Sequence, residues 1–333
     1  ATTVSSTATT TIPKKNSSSS PPATASTPVS SPVTPVPAST PKVAVDYEAV
    51  NATARAALVN VLCIAGSESP VGSVSGSGVF IDSRGIILTN AHIAQYYLLK
   101  DHPKPDSIEC SIRVGSPASP KYRAELLYLP PAWISENADQ LKAQSPKGTG
   151  EHDYAFLRIT GTIDPTGTLP SSFPRIPIAT TDPEIGEEVL LAAYAAGFLD
   201  GTSILRDLHI ASAFTVVQKL FTFNDQNNID AVSIGGTIVS QGGSSGGAVV
   251  RGRDGALLGL IATATAGSTT GDRDLRAIMT THIARSLADQ GMGGLVALLN
   301  KDTAAQAADF KANVAPGELE KLLQILTSPV SGN

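Results

Sequence analysis

Three short motifs in this 333-residue chain carry side chains that perform nucleophilic chemistry when they meet. TNAH ends in His92, EHDYAFLRI contains Asp153, and GGSSGGAVV contains Ser245. A serine hydroxyl is a weak nucleophile at neutral pH and needs a neighbouring base. A histidine can accept its proton and return it to a leaving group, and a buried aspartate can fix the imidazole tautomer. The motifs therefore predict His92, Asp153 and Ser245 as one candidate catalytic set.

The stretch SQGGSSGGAVV (240–250) surrounds the candidate nucleophile with glycine. Its first eight positions hold four glycines and three serines, and the chain then turns apolar. A linker would stay polar on both sides, and a simple turn needs only one or two glycines. Glycines let main-chain N–H groups converge on a reacting oxygen, and a side chain at Gly243 would obstruct that approach. We interpret this stretch as a catalytic loop.

The elements that must hold these motifs are mostly short strands. His92 lies where one predicted strand ends and a short helix begins. Asp153 stands at the beginning of an apolar strand. Short apolar or alternating runs recur in two groups, each run bounded by Gly, Pro, Asp or Asn. The Gly- and Pro-rich segment 161–185 reads as an extended crossover between the groups. This pattern is typical of an all-β sandwich or barrel.

The two ends of the chain differ from this strand-rich part. Residues 1–42 contain 28 Ser, Thr or Pro residues, a composition that cannot bury enough apolar surface to fold. We therefore predict a disordered stalk over 1–45, a folded domain over 46–290 that opens with a short helix, and a helical C-terminal extension over 291–333.

Composition and charge exclude several classes of function. The formal net charge is −5 and no basic stripe is present, so no nucleic-acid partner is expected. The longest apolar stretch, 189–199, is too short to span a bilayer. The five histidines form no HExxH or paired ligand pattern, so we predict no metal and no other cofactor.

The two cysteines leave an alternative open. Cys63 and Cys110 lie far apart without CxxC spacing, which makes a zinc site a poor interpretation. They form either one disulfide in an oxidising compartment or two buried free thiols. The Ser/Thr/Pro-rich stalk favours an exported protein, so we expect a secreted, periplasmic or cell-surface location.

TNAH, DYAFLRI and GSSGGAVV resemble the His, Asp and Ser motifs of the chymotrypsin/trypsin-like serine peptidases, and more closely those of the bacterial branch with the HtrA-type proteases. The resemblance implies two packed six-stranded antiparallel barrels, at about 58–160 and 185–280. It implies a polypeptide substrate, with His92 as general base, Asp153 as its orienter and Ser245 as nucleophile. It also implies an oxyanion hole formed by the N–H groups of Gly243 and Ser245. The 43 residues after 290 are too few for the PDZ domain of a full HtrA-type protein.

Departures from the family pattern bear on activation and specificity. Ser244 stands where the animal digestive members carry an aspartate, so their zymogen switch is not expected here. Val239, six residues before the nucleophile, is not acidic, and GLIATATAG (259–267) offers mainly small residues. We therefore predict a substrate pocket for a small or aliphatic P1 side chain. Its candidate residues are Val239, Ser240, Thr263 and Ala264. A Ser or Thr in this strand often supports the catalytic Asp; here the matching position is Ala262, with Thr263 next, which leaves that contact open.

Two alternatives compete with this interpretation. GSSGG also fits the nucleophile elbow of α/β-hydrolases, with Asp272 or Asp274 and then His282 in the matching order. That elbow requires a following helix, whereas AVVRGRDGALLGLIA predicts strand, turn and strand. The fold could instead serve as a binding or scaffold module without turnover. Outside the elbow interpretation, we expect His282 to be a capping or surface residue and His152 to face solvent.

Overall fold

The computed structural model describes residues 45–142, 149–224, 228–265 and 267–328. The predicted stalk, apart from Val45, lies outside these residues. The described chain begins with helix α1 (Tyr47–Ala57). The carboxylate of Asp46 accepts a hydrogen bond from the N–H of Ala49 at 3.0 Å, which caps the helix.

The first sheet is a closed six-stranded antiparallel barrel in the order β1-β2-β3-β6-β5-β4. Its strands are β1 (Leu58–Ala65), β2 (Val74–Asp82), β3 (Ile86–Thr89), β4 (Ile108–Val114), β5 (Ser119–Tyr128) and β6 (Ala155–Thr162). Cys63 on β1 lies opposite Cys110 on β4 with the Cα atoms 4.0 Å apart, and a disulfide joins the two residues. The bond therefore links two neighbouring strands of this barrel.

The second sheet has seven strands in the order β8-β7-β11-β12-β13-β10-β9. Its strands are β7 (Glu188–Ala193), β8 (Ala211–Val216), β9 (Lys219–Phe221), β10 (Ala231–Gly235), β11 (Ala248–Arg251), β12 (Leu257–Ala264) and β13 (Leu275–Met279). Buried aliphatic side chains from these strands form a core of their own, which includes Val189, Val249 and Ile261.

The two edge strands of the second sheet are halves of one chain segment. Only Val217 and Gln218 separate β8 from β9. The carbonyl of Val217 accepts from the N–H of Gly186 at 2.8 Å, and the N–H of Gln218 donates to the carbonyl of Ser233 at 2.8 Å. The segment thus bends between β7 on one side and β10 on the other. The predicted all-β class is confirmed, with one closed six-stranded barrel and a second sheet curled into a half-barrel. The break between β8 and β9 explains why this second sheet has seven strands instead of six.

Helices occupy the ends of the chain and a few connections. They are α2 (Ala91–Ala94), α3 (Tyr96–Leu99), α4 (Pro131–Asn137), α5 (Gly201–Arg206), α6 (Thr280–Asp289), α7 (Leu295–Asn300), α8 (Thr303–Asp309) and α9 (Ala315–Thr327). A 3₁₀ turn (Ala138–Lys142) follows α4, and a π-helical turn (Phe310–Val314) joins α8 to α9. In the described part of the chain, no helix is both long and apolar enough to cross a membrane.

The C-terminal helices pack on the first barrel. The ring of Phe310 lies 6.0 Å from that of Tyr128 at the end of β5. Lys321 on α9 donates to the hydroxyl of Ser135 on α4 at 3.1 Å, which brings the insertion between β5 and β6 under the last helix. The helical extension therefore covers the side of the barrel that carries this insertion.

Candidate active site

His92 and Asp153 are brought together by two neighbouring strands of the first barrel. β3 ends at Thr89, which pairs with Ala155 at the beginning of β6. Asn90 is extended and its side-chain amide donates to the carbonyl of Asp153 at 2.7 Å, so the chain turns into α2 next to that residue. The register of one strand pair therefore sets the approach of the histidine and the aspartate.

The carboxylate of Asp153 contacts His92 with both of its oxygens. Oδ1 accepts the main-chain N–H of His92 at 2.9 Å, and Oδ2 lies 2.8 Å from ring Nδ1. The Asp153 side chain is 7% exposed and that of His92 is 31% exposed. Because a carboxylate can only accept, the ring proton sits on Nδ1 and Nε2 is left to act as a base.

The electrostatics of this pair favour the protonated imidazole. Burial lowers the pKa of His92, but the charge of Asp153 and its hydrogen bond to the ring outweigh burial. The net effect raises the pKa of His92 above its ordinary value. The contact with Asp153 therefore stabilises the imidazolium form of His92.

Main-chain hydrogen bonds bring the serine loop to the same point. The N–H of Ser77 on β2 donates to the carbonyl of Ser245 at 2.7 Å, and the hydroxyl of Thr89 donates to the carbonyl of Ser77 at 2.7 Å. A Cβ added to Gly246 would lie 1.9 Å from the carbonyl oxygen of Ser77, so only glycine permits this approach. The motifs that contain His92, Asp153 and Ser245 thus converge through β2, β3 and β6.

Ser245 is half-buried at this junction. Among the described residues, no hydrogen bond joins it to the His92 ring. Catalytic hydrogen bonds are often long or poorly aligned without substrate and tighten when it binds.

The orientation of the glycine loop leaves two main-chain donors free. The carbonyl of Gly242 accepts the N–H of Ala196 at 2.7 Å. Because the C=O and N–H of a trans peptide point in opposite directions, the N–H of Gly243 faces away from Ala196. Within the described ranges, neither this N–H nor that of Ser245 has an acceptor, whereas the N–H of Ser244 between them donates to Gln241.

Gly243 has a conformation that suits glycine alone. Its φ is +86°, and an added Cβ would lie 2.7 Å from the carbonyl oxygen of Tyr194. A left-handed φ and this close contact both disfavour a side chain. The glycine content of the loop therefore reflects the packing of its backbone against the chain after β7.

The predicted pocket residues are only partly described. Val239 is fully buried in the core of the second sheet, and the hydroxyl of the buried Ser240 accepts from the N–H of Thr237 at 3.0 Å. The side chains of Thr263 and Ala264 lie outside the described residues. The assignment of these four residues to a substrate pocket stays a prediction.

Ala262 supplies no donor to Asp153. In the described part of the chain, the hydrogen bonds to the Asp153 carboxylate both come from His92. Since the methyl group of Ala262 carries no polar atom, the hydroxyl support common in the resembled family is absent at this position. The main-chain N–H of His92 occupies Oδ1 instead.

A cavity of about 180 Å³ opens beside the loop that leads to Asp153. Its lining residues are Thr149, Phe221, Thr222, Phe223, Ala231, Ala262, Arg276, Ala277 and Ile278. The Arg276 guanidinium lies 4.7 Å from the centre of the Phe221 ring. None of the four predicted pocket residues lines this cavity.

His282 is buried, contrary to the expectation from the sequence. It is 6% exposed, so the expectation of a surface or capping role is wrong. Its Nδ1 lies 2.9 Å from Oδ1 of Asp230, and its Nε2 lies 2.8 Å from the carbonyl oxygen of Glu151, two residues before Asp153. No local signal revealed this pair, because Asp230 and His282 lie far apart in the sequence. His152 pairs with Glu136 of α4 at 3.1 Å.

A closed antiparallel barrel and a second, half-barrel sheet, with a His–Asp pair and a serine in a glycine-rich loop where they meet, define the class of chymotrypsin-like folds. The sequence model described as the trypsin-like peptidase domain matches residues 76–260, more than half of the chain. The chain belongs to this family.

Some solved structures match this chain at low identity. The active form of the Rv3671c protease from M. tuberculosis is 18% identical, with 82% of this chain and 96% of that chain covered and a TM-score of 0.45. Its inactive form is also 18% identical, with 78% and 100% covered and a TM-score of 0.46. No curated protein matches the sequence significantly.

Proposed function

We propose that this chain is a serine endopeptidase that hydrolyses peptide bonds through an acyl-enzyme. Ser245 is the nucleophile, His92 the general base and acid, and Asp153 the group that orients the histidine. The contact of Asp153 with both the main-chain N–H and ring Nδ1 of His92, at 2.9 and 2.8 Å, carries this proposal. It fixes the tautomer that leaves Nε2 free to take a proton.

The reaction follows from these positions. Ser245 Oγ attacks the carbonyl carbon of the scissile bond while its proton passes to His92 Nε2. The carbonyl oxygen becomes an oxyanion, which the free N–H groups of Gly243 and Ser245 bind. Collapse of the tetrahedral intermediate expels the amine, which takes the proton from His92. Water then hydrolyses the acyl-enzyme with His92 as base. The steps require no metal and no organic cofactor.

The substrate, location and chain organisation belong to the same proposal. The substrate is a polypeptide with a small or aliphatic P1 side chain, bound near Val239, Ser240, Thr263 and Ala264. Residues 46–290 form the catalytic domain, 1–45 a spacer and 291–333 a helical extension. The disulfide between neighbouring strands and the Ser/Thr/Pro-rich segment both support action outside the cytoplasm.

Labelling with a fluorophosphonate tests the proposal. Ser245 Oγ displaces fluoride from phosphorus, and intact mass followed by peptide mapping locates the adduct. We expect one adduct, on Ser245, that disappears in Ser245→Ala and slows strongly in His92→Ala. The control is His209→Ala, because His209 also pairs with an aspartate, Asp207 at 3.0 Å, but on the exposed surface.

Two results would contradict the proposal. An adduct that forms equally fast in His92→Ala would show that this histidine does not activate the serine. Folded protein that neither reacts nor cleaves peptides would favour the alternative, a protease fold retained as a binding or scaffold module.

A further inference from the structure

The hydroxyl of Ser77 bridges the serine loop and the chain after β7. Its oxygen accepts the N–H of Tyr194 at 2.9 Å and lies 2.8 Å from the carbonyl oxygen of Gly243. Because an N–H can only donate, the hydroxyl proton is left for the Gly243 carbonyl. Ser77 itself is fully buried, and the bond from Tyr194 is buried with it.

The main chain of Ser77 binds the same loop. Its N–H donates to the carbonyl of Ser245 at 2.7 Å, and its own carbonyl accepts the hydroxyl of Thr89 at 2.7 Å. One residue of β2 therefore contacts both residues that contribute a candidate oxyanion donor. Through Thr89 it also connects to the strand that leads to His92.

The hydrogen bond from the Ser77 hydroxyl matters because few other contacts restrain the backbone conformation of Gly243. With no Cβ and a φ of +86°, its backbone torsions are limited mainly by hydrogen bonds. The peptide before Gly243 is held through the bond from Ala196 to Gly242, and the peptide after it through the hydroxyl of Ser77. Removal of that hydroxyl takes a partner from the half-buried Gly243 carbonyl and from the buried N–H of Tyr194.

We propose that Ser77 is a positioning residue that fixes both oxyanion donors, Gly243 N–H and Ser245 N–H. Ser77 touches neither substrate nor the reacting atoms and acts through the loop. The inference rests on the proposed serine peptidase function. It assigns a side chain of the first barrel a role in positioning the oxyanion donors, which belong to the serine loop.

Ser77→Ala tests this role, with Ser75→Ala as a matched control. Ser75 lies on the same strand, and its hydroxyl accepts from the Asn60 amide at 3.0 Å without contact to the serine loop. We expect Ser77→Ala to lower kcat per titrated active site about 10- to 100-fold with KM nearly unchanged, since a small displacement of oxyanion donors weakens transition-state binding. Ser75→Ala should keep the wild-type kcat.

A peptide aldehyde separates positioning from general stability. Ser245 Oγ adds to the aldehyde carbon, the carbonyl oxygen becomes the oxyanion, and the proton passes to His92. The affinity for this inhibitor should fall by the same factor as kcat/KM in Ser77→Ala. The affinity for the matching peptide alcohol, which has no carbonyl to add, should not change.

Other results would overturn the inference and leave the proposed function intact. An active wild type with equal kcat and aldehyde affinity in Ser77→Ala and Ser75→Ala would show that the hydroxyl does not position the donors. Ser77→Gly removes the same hydroxyl and replaces the alanine variant if that one does not fold. If neither variant folds, the hydroxyl is a folding determinant and the inference is wrong. A wild type without peptidase activity would instead remove the proposed function.

Discussion

Asp153 holds His92 at two points, with one carboxylate oxygen on the main-chain N–H and the other on ring Nδ1. The aspartate therefore fixes both the start of helix α2 and the rotation of the imidazole. Ala262 has no hydroxyl that could donate to the Asp153 carboxylate. The orientation of the histidine depends on one carboxylate, which makes that carboxylate the most informative position to change.

Asp153→Asn should lower kcat/KM about 10⁴-fold, because an amide can hold the ring in the wrong tautomer. The pH profile should also change. Since Asp153 raises the pKa of His92 and the neutral ring is the base, wild-type kcat/KM should rise with pH through a value above about 6.5. In Asp153→Asn this limb should move to lower pH. A variant whose acid limb stays at the wild-type pH would show that Asp153 does not set the pKa of His92.

Gly243→Ala tests the oxyanion donors directly. The new Cβ would lie 2.7 Å from the Tyr194 carbonyl and displace the N–H of residue 243. We expect kcat to fall about 10²–10³-fold, as for the loss of one oxyanion donor. Gly186→Ala is the control, because Gly186 has a φ of +85° and open space around its Cβ position. Equal losses of kcat in both variants would point to backbone strain and not to the oxyanion hole.

The Cys63–Cys110 disulfide should contribute to stability and not to catalysis. It joins residues 47 positions apart, for which loop-closure entropy predicts about 4 kcal/mol at most. Reduction, or the double change to alanine, should lower Tm and leave kcat at 25 °C unchanged. A reducing agent should not affect the double variant. If reduction leaves the Tm of the wild type unchanged, the bond either does not form or does not stabilise the first barrel.

Asp230 should stabilise the fold at neutral pH. Burial raises its pKa, but bonds from the N–H of Phe223 and the side chains of Arg285 and His282 outweigh burial and hold the pKa below its usual value. A folded pKa below the unfolded one stabilises the fold above about pH 4, and that contribution is lost as the pH falls through the folded pKa.

Asp230→Asn should therefore cost about 1.5–3 kcal/mol in urea unfolding at pH 7, because the buried carboxylate loses its hydrogen bonds from His282 and from Arg285, whose side chain is 33% exposed. The cost should shrink at pH 3. Asp207→Asn is the control, since Asp207 is exposed and its pairing with His209 should contribute less than about 1 kcal/mol. An equal cost at pH 7 and pH 3 would show that the charge of Asp230 is not what stabilises this cluster.

Removal of residues 1–42 should leave kcat and KM on a short peptide unchanged. The proposal treats this segment as a spacer, and the described part of the fold begins after it. Steady-state kinetics of the shortened chain beside the full chain provide the measurement. A large loss of activity would assign the segment a role in substrate binding or in shaping the site.

Local sequence patterns predicted the parts of this molecule that depend on local chemistry. Alternating apolar runs indicated the strands, and the residue types around His92, Asp153 and Ser245 indicated nucleophilic chemistry. The role of Gly243 could be predicted because glycine, with no side chain, is the residue that leaves space for main-chain donors.

Contacts between segments that are distant in the sequence could not be predicted from such local patterns. Ser77 is one of two serines in β2, and nothing nearby in the sequence shows that it contacts a loop 166 residues later. The same holds for His282, whose partners Asp230 and Glu151 come from two other segments. The break at Val217 and Gln218 was also missed, since a bend in a strand leaves no Gly or Pro signal there.

The pairing of β1 and β13 in the two sheets has a consequence for the smallest piece of this chain that can fold. Residues 76–260, the part matched by the family, begin inside β2 and end inside β12. β1 pairs with both β2 and β4, and β13 pairs with both β12 and β10. A fragment cut at 76 and 260 would lose both of these strands and expose unpaired edges in each sheet, which invites aggregation. An autonomous unit has to extend at least from 58 to 279.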